Sequence, residues 1–570
     1  MKYNSIELNE VRKIRDLKDM LQSSTELYGD KAAFLVKKPG NSNYQPVSYK
    51  EFKSDTEALG TALIDLGLKD KSIAVIGENR YEWCVSYLGV ANGTGVVVPI
   101  DKELPANEIA SLLTRAEASA IIYTDRKSET VEKALDTLER DIIAIQMDAA
   151  EDTERYLSFS LLIKKGHELV KSGDRRFMDA VIDPEKVLIL LYTSATTSKS
   201  KAVMLTHKNI CANLEAMCQM VYIGPDDIFL SILPIHHAYE CTCGFLCQIY
   251  RGCTIAECEG LRHITKNLQE SKTTMMLAVP LVIETMYKKI WDTARKNGIE
   301  DKLKKGLKIS KLLLKFKIDV RRKIFAKIHD NFGGHIRLFI SGAAAIDPVV
   351  SKGFQDFGFN ILQGYGLTEC SPIVSLNRPD QFDDASAGVP LPNLTVKIAD
   401  RDEDGIGEVI VKGDSVMKGY YQDDKANQAA FTEDGFFRTG DYAYMNEMNF
   451  IYITGRKKNV IVTKNGKNIF PEEIETLLGR KEYIKESLVY GKENGDDLTI
   501  AASIFPNYEK MQDEGVDTSD GAVEKLMGEY IKEVNRELVS YKVIKDFNVR
   551  KEDFAKTTTG KIKRYMEKNE

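Results

Sequence analysis

The segment Tyr192–Val203 reads YTSATTSKSKAV and sets six hydroxyl side chains, Thr193, Ser194, Thr196, Thr197, Ser198 and Ser200, beside Lys199 and Lys201. Hydroxyls, backbone N–H groups and ammonium charges all favour phosphate oxygens, so such a loop suits a polyphosphate cradle. It contains no glycine, which excludes the G-x-x-x-x-G-K-[ST] pattern. The same composition also describes a solvated surface loop. Three later segments could complete a site. Tyr365–Glu369 (YGLTE) offers an aromatic face, a glycine, the Thr368 hydroxyl and the Glu369 carboxylate, a turn able to stack a base, touch a phosphate and hold Mg²⁺. Gly435–Asp441 (GFFRTGD) ends in a carboxylate suited to paired sugar hydroxyls, and Lys556–Arg564 (KTTTGKIKR) presents Lys561 just after Gly560. His236 and His237 follow Pro234; neighbouring histidines point apart on a regular element, so a strand end facing a cleft fits them better than a metal pair. Cys241, Cys243 and Cys247 read as small buried hydrophobes rather than zinc ligands.

The elements that must position these groups follow from hydrophobic periodicity. Val187–Leu191, ahead of the hydroxyl-rich loop, is short and branched enough to be a buried strand. Upstream, strands at Ile73–Ile76, Gly95–Ile100, Ser119–Thr124 and Ile142–Met147 alternate with helices at Tyr81–Asn92 (amphipathic), Ala106–Arg115 and Glu129–Leu138, and the alternation resumes near Asp227–Pro234, Thr274–Val279 and Ile336–Ser341. This spacing predicts βαβ units and a mostly parallel sheet. From Val389 the texture changes to short strands, Leu394–Ala399 and Glu408–Lys412, of a small sheet or barrel. Pro471 suits the first turn of a helix and Glu472 and Glu473 its positive end. The stretch Asn507–Gly521 is polar and poorly patterned, and Val523–Leu538 is helical. The last hundred or so residues read as a separate α+β domain.

With 570 residues, 43% hydrophobic and 29% charged, the chain has the composition of a multi-domain globular protein, and its net charge of −6 gives no global attraction to nucleic acid. No apolar segment near the N-terminus resembles a secretory signal and no run is long enough to span a bilayer. Nine cysteines then read as reduced thiols, and the expected compartment is the cytoplasm. One segment is strongly charged: 302–327 holds eleven Lys or Arg against the single acid Asp319, with apolar residues interleaved. A basic amphipathic helix of this kind suits peripheral contact with an anionic inner membrane surface, or a solvated helix packed by its apolar face.

Set in order, Tyr192–His207 (YTSATTSKSKAVMLTH), ISGAAA (Ile340–Ala345), GYGLTE (Gly364–Glu369), RTGD (Arg438–Asp441), GRKKN (Gly455–Asn459), GKNIFPEEIE (Gly466–Glu475) and KTTTGKIKR resemble the adenylate-forming superfamily of acyl-CoA synthetases, luciferases and adenylation domains. LPIHHAYE (Leu233–Glu240) and VMKGYY (Val416–Tyr421) resemble its long-chain fatty-acid–CoA ligases most. The resemblance implies an α/β fold: a large domain, 1–457, of α/β layers with a small β-barrel-like subdomain, and a small mobile α+β domain, 458–570. It implies ATP, Mg²⁺ and CoA as reactants and cofactor, with a fatty acid as substrate. Thr193, Ser194, Thr196, Thr197 and Lys201 would grip the β- and γ-phosphates, Thr368 the α-phosphate and Glu369 the Mg²⁺. Gly342, Ala343, Ala344 and Tyr365 would border the adenine, and Asp441 and Arg456 would hold the ribose. Lys561 would bridge carboxylate and α-phosphate, Lys458 would be the hinge, and His237 would lie where acyl and thiol channels meet. Two alternatives stay open: a ligase that loads an acyl carrier protein, and a silent acyl- or nucleotide-binding relative. The family's phosphate loop has glycine where this chain has Ala195, Ser198 and Ala202, and proline where it has Ser200.

Overall fold

Apolar runs set the frame. In the computed structural model, which describes residues 7–37, 43–193, 200–463, 467–494, 497–557 and 561–567, Ser72–Ile76 pairs in parallel with both Val96–Ile100 and Ala118–Tyr123. Apart from Ser119, the inner residues of these strands are buried. A parallel strand covered on both faces has no reason to alternate polar and apolar residues, which is why it reads as a continuous run.

These strands belong to an eight-stranded sheet in the order Gly419–Tyr420, Lys201–Thr206, Val187–Thr193, Val96–Ile100, Ser72–Ile76, Ala118–Tyr123, Ile143–Gln146, Leu157–Ser158. A nine-stranded sheet runs Val389–Pro390, Ile373–Leu376, Asn360–Gly366, Leu338–Ser341, Met275–Ala278, Ile228–Ser231, Thr254–Glu257, Ala32–Val36, Gln45–Ser48. Both are parallel in the middle and antiparallel at one or both ends. An aromatic cluster of Phe325, Phe332, Phe339, Phe354, Phe357 and Phe359 fills the core beside the second sheet. The helix Tyr81–Ala91 departs from expectation: Trp83 to Ala91 are buried without a break, so it has no solvent face. A helix apolar all round belongs inside, and this one packs against the helix Tyr49–Asp65.

The chain divides into two compact units, Met1–Thr395 with Lys412–Gly435, and Val396–Val411 with Phe436–Glu570. The first holds both large sheets. The second holds most of a four-stranded sheet, ordered Leu394–Ala399, Gly407–Gly413, Phe437–Met445, Ile451–Arg456, and a three-stranded sheet of Ile484–Asn494, Asp497–Pro506 and Ile544–Val549. The helices Pro471–Gly479 and Asp520–Asn535 close a core of Ile474, Leu478, Val489, Ile504, Met527 and Val534. Pro471 opens its helix as its rigid φ favours. The segment read as unpatterned contains a further helix, Tyr508–Asp513, started by the Asn507 side chain, which accepts the Lys510 N–H. The α/β class and the α+β character of the C-terminal part stand as the sequence implies. Among the described residues no helix is long and apolar enough to cross a membrane, and all nine cysteines are free thiols, eight of them buried.

Candidate active site

The strands on either side of the hydroxyl-rich segment, Val187–Thr193 and Lys201–Thr206, pair antiparallel. Leu191, Tyr192 and Thr193 pair with Val203, Ala202 and Lys201. Ser194, Thr196 and Thr197 lie outside the described residues. Ala202 is a buried position in the ladder, with its carbonyl accepting the Tyr421 N–H at 2.8 Å, so alanine meets no conformational obstacle there. Ser200, at the foot of the loop, is held by Arg115: one guanidinium nitrogen donates to its hydroxyl at 3.1 Å and another to its carbonyl at 2.7 Å. The Arg115 guanidinium also lies 5.1 Å from the Tyr192 ring centroid. A proline at this position would keep the carbonyl but would have no hydroxyl to accept the 3.1 Å bond. Sequence reading missed Arg115 because 85 residues separate the pair. Charge-assisted bonds of this type are each worth about 1.5–3 kcal/mol. Arg115→Ala is therefore expected to raise the ATP KM roughly tenfold or more with a smaller change in kcat; steady-state kinetics showing an unaltered KM would remove the arginine from the site.

A second chain of contacts leads from the loop to Glu369. The strand Gly419–Tyr420 pairs with Lys201–Thr206 so that Tyr420 faces Val203, making Lys201 its diagonal neighbour. The Lys201 ammonium sits 4.5 Å from the Tyr420 ring centroid, and the Tyr420 hydroxyl donates to Glu369 Oε1 at 2.9 Å. Asn209 makes this register possible. Its side chain completes a capping box with Thr206 at the start of the helix His207–Met220 and donates to the carbonyls of Asp414 and Val416. Glu369 lies in the turn Thr368–Cys370, whose exit is braced by Asn213 through the Cys370 and Ile373 carbonyls. Gly366 is required just before it, since a Cβ there would stand 2.2 Å from the Pro372 carbonyl oxygen. The donor set suits Mg²⁺: a hard cation that keeps its waters takes one or two carboxylates together with substrate phosphates, and Glu369 is one carboxylate already oriented by a hydroxyl.

Gly342, Ala343 and Ala344 follow the strand Leu338–Ser341, and Tyr365 is near the end of its parallel neighbour Asn360–Gly366. Both strand ends are where open α/β sheets place ligands. Gly342 lies against Tyr239, where a Cβ would come within 2.7 Å of the ring, and the Tyr239 hydroxyl donates to the Ile340 carbonyl. Ala343 is held at φ +71°, a conformation that costs a non-glycine residue about 1 kcal/mol or more and that collects at ligand sites. His236 and His237 occupy a turn closed by the His237 N–H on the Pro234 carbonyl, and their ring centroids are 4.3 Å apart. The turn, not being a regular element, brings together two side chains that the sequence reading sets apart. Cys241, Cys243 and Cys247 are buried in or next to the π-helical segment Tyr239–Leu246, as small hydrophobes.

The remaining candidates share the second unit. Asp441 and Arg456 are register partners on adjacent strands, with Arg456 Nε 2.8 Å from Asp441 Oδ1. Gly440, at φ +69°, supplies the left-handed turn before Asp441. Beneath them is buried Glu408, unmarked in the sequence reading: it accepts from the Gly440 N–H and pairs with Arg438 at 3.0 Å and Lys457 at 2.9 Å. Lys458, in the turn Lys457–Asn459, has its pKa pushed down to about 8, by burial first and then by the Arg456 cation. Lys561 is likewise pushed down to about 8, by desolvation first, then by Arg456 and Lys458, with Asp441 opposing, although the residue keeps solvent-exposed surface. Its segment is pinned at both ends. Lys556 pairs with Glu486 at 2.8 Å, and Arg564 pairs with Glu475 and donates to the Val489 carbonyl. The Thr557 N–H donates to the Lys561 carbonyl at 2.8 Å, and the Lys561 N–H to the Thr557 hydroxyl at 3.1 Å.

The chain is similar to known proteins over most of its length. Over 492 residues the chain is 28% identical to long-chain-fatty-acid–CoA ligase 5 of Rattus norvegicus, spanning 79% of this chain and 70% of that protein. It is 29% identical over 480 residues to long-chain-fatty-acid–CoA ligase 1 of Homo sapiens, spanning 79% and 68%. Among solved structures it superposes on the anthranilate CoA ligase AuaEII in complex with anthranoyl-AMP with a TM-score of 0.77 at 18% identity, covering 99% of this chain and 98% of that one. ATP-bound MatB from Rhodopseudomonas palustris gives 0.74 at 20%, covering 97% and 98%. These two likenesses concern the fold. The AMP-binding enzyme description matches residues 21–421, most of the chain, and the protein belongs to that family.

Proposed function

We propose that this chain is an AMP-forming acyl-CoA ligase acting on fatty acids. The observation that carries this reading is the Lys201–Tyr420–Glu369 chain, which ties the cation of the phosphate loop to the carboxylate fitted for Mg²⁺. In the first step a carboxylate oxygen attacks the α-phosphorus of ATP, the bond to the β-phosphate oxygen breaks, and pyrophosphate leaves. The obstacle is repulsion between two anions, met by positive charge placed where charge builds up. Thr193 and Lys201, with Ser194, Thr196 and Thr197, hold the β- and γ-phosphates. Thr368 contacts the α-phosphate, and Glu369 would hold an Mg²⁺ ion, which when bound would supply positive charge against the phosphates. Gly342–Ala344 and Tyr365 border the adenine, Asp441 and Arg456 take the ribose hydroxyls, and Lys561 bridges carboxylate and α-phosphate. In the second step a thiol attacks the acyl carbonyl carbon and AMP departs, with His237 at the meeting of acyl and thiol paths.

Lys458 lies in a three-residue turn between strands, which supports its proposed role as the hinge about which the residues from 458 onward would withdraw Lys561 for the thioester step. Free CoA and the phosphopantetheine of a carrier protein end in the same thiol. Thioester formation from one acyl-adenylate offered both acceptors, over straight-chain acids of increasing length, tests the substrate assignment. Preferential loading of the carrier protein would replace CoA as acceptor.

Contact with a membrane surface is part of this proposal. The helix Glu300–Lys315 packs Leu303 and Leu307 on the core but leaves Ile309, Leu312 and Phe316 more than half exposed among its lysines. Exposed apolar side chains within a basic face suit an anionic bilayer from which a fatty acid is taken. Vesicles containing phosphatidylserine are expected to co-sediment the protein, and Leu312→Glu with Phe316→Glu to release it; equal recovery with neutral vesicles would remove the charge component.

A further inference from the structure

Asp101, His236 and His237 place one carboxylate oxygen and two imidazole nitrogens within 4.8 Å of one another, in a position that the proposed reaction leaves without a cation. The three residues come from rigid supports. Asp101 directly follows the strand Val96–Ile100 of the eight-stranded sheet. The histidines follow the strand Ile228–Ser231 of the nine-stranded sheet. Asn79 fastens the approach to the histidines: its amide donates to Ser231 Oγ and to the Leu233 carbonyl at 2.6 Å, and its oxygen accepts the Ile235 N–H. Asp101 Oδ1 accepts the Glu103 N–H at 2.9 Å, which orients the carboxylate.

His236 provides the independent sign of a ligand. It is 4% exposed, and neither ring nitrogen has a hydrogen-bond partner, although Nε2 stands 3.5 Å from Asp101 Oδ1. A buried imidazole without a partner calls for an explanation, because desolvation of its polar atoms is uncompensated. The 3.5 Å separation is close to the edge of a tetrahedron around zinc, about 3.3 Å for ligands near 2.0–2.1 Å from the metal. Asp101 and His237 are each only partly buried, so the wider pairs have room to close.

We infer that Asp101, His236 and His237 form a binding site for a divalent transition cation of the zinc class, with a water in the fourth position. Two imidazoles and one carboxylate favour zinc, cobalt, nickel or copper over magnesium, which takes oxygen donors. The cation joins the strand ends of the two large sheets and fixes the His237 ring. The site is separate from the Glu369 position fitted for Mg²⁺.

The test is a titration of the full-length, chelator-treated protein with Co²⁺, followed by visible absorption. Expected are one equivalent bound with the intense d–d bands of four-coordinate cobalt, and displacement by an equivalent of Zn²⁺. His236→Gln and Asp101→Asn are each expected to weaken Co²⁺ binding at least tenfold, while the control His263→Gln leaves it unchanged; circular dichroism checks the fold of each variant. If either variant fails to fold, the other decides. Absence of tight Co²⁺ binding, binding undisturbed in the folded variants, or a thiolate-to-cobalt charge-transfer band marking cysteine ligation would overturn the site.

Discussion

Lys561→Ala is expected to slow acyl-adenylate formation by about 10²–10³-fold, the usual cost of removing one preorganised donor from a developing anion, about 3–4 kcal/mol. Thioester formation from supplied acyl-AMP is expected to stay within a few-fold of wild type. The separation follows from the role proposed for the lysine: it would answer charge on the α-phosphate in the first step and would have no such role in the second. Lys458→Pro is expected to give the opposite pattern, a slowed second step with the first largely intact. Titration adds a second reading. With its pKa pushed down to about 8 by desolvation and by Arg456 and Lys458, Lys561 is cationic below that pH and loses its charge as pH rises through it. The adenylation rate is therefore expected to fall above about pH 8. Lys561→Arg keeps its charge at all these pH values, so its lower rate is expected to show no such fall. A fall that persists in the arginine variant would assign the titration to Lys458 and contradict the role given to Lys561. Equal loss of both half-reactions in Lys561→Ala would do the same.

Glu369→Gln carries the second large expectation. The substitution keeps the shape and an oxygen able to accept the 2.9 Å bond from the Tyr420 hydroxyl, but removes the charge. Loss of the charged ligand is expected to raise the Mg²⁺ concentration needed for half-maximal adenylation by about 10–100-fold or more, and to lower the rate at saturating Mg²⁺ by about two orders of magnitude. Tyr420→Phe, which frees the carboxylate to rotate, is expected to shift only the Mg²⁺ requirement, by roughly tenfold. Rates measured across a Mg²⁺ series separate the two. If Glu369→Gln keeps the wild-type Mg²⁺ requirement, the cation is held elsewhere.

The core of the fold was legible because parallel strands covered on both faces announce themselves as unbroken apolar runs, as at Ser72–Ile76 and Ala118–Tyr123. The helix Tyr81–Ala91 was legible in position but not in environment, since an all-apolar helix and an amphipathic one differ by few residues. The helix Tyr508–Asp513 escaped notice because a cap at Asn507, rather than an apolar stripe, starts it. Of the candidate site, the residues lying inside contiguous motifs were readable: Thr368, Glu369, Asp441, Arg456 and Lys561. Their supports were not. Arg115 meets Ser200, Tyr420 meets Glu369, and Arg438 meets Glu408 only through sheet register and long-range packing, which leave no local mark. Tyr420, within VMKGYY, carries no local mark of a role; its diagonal pairing with Lys201 supplies one. The expectation that neighbouring histidines diverge holds for strands and helices; His236 and His237 lie in a turn, where their rings come to 4.3 Å of each other.

The proposed phosphate-binding segment carries no glycine, and Arg115 holds Ser200 at its C-terminal side. Fatty-acid-dependent exchange of labelled pyrophosphate into ATP measures the loop, the Mg²⁺ carboxylate and Lys561 together, without the thiol step. Exchange that requires both Mg²⁺ and a straight-chain fatty acid, and that falls at least a hundredfold in Lys561→Ala, is the expected result. No exchange with any carboxylic acid, from protein that still binds ATP, would contradict the assignment of this chain as a working ligase.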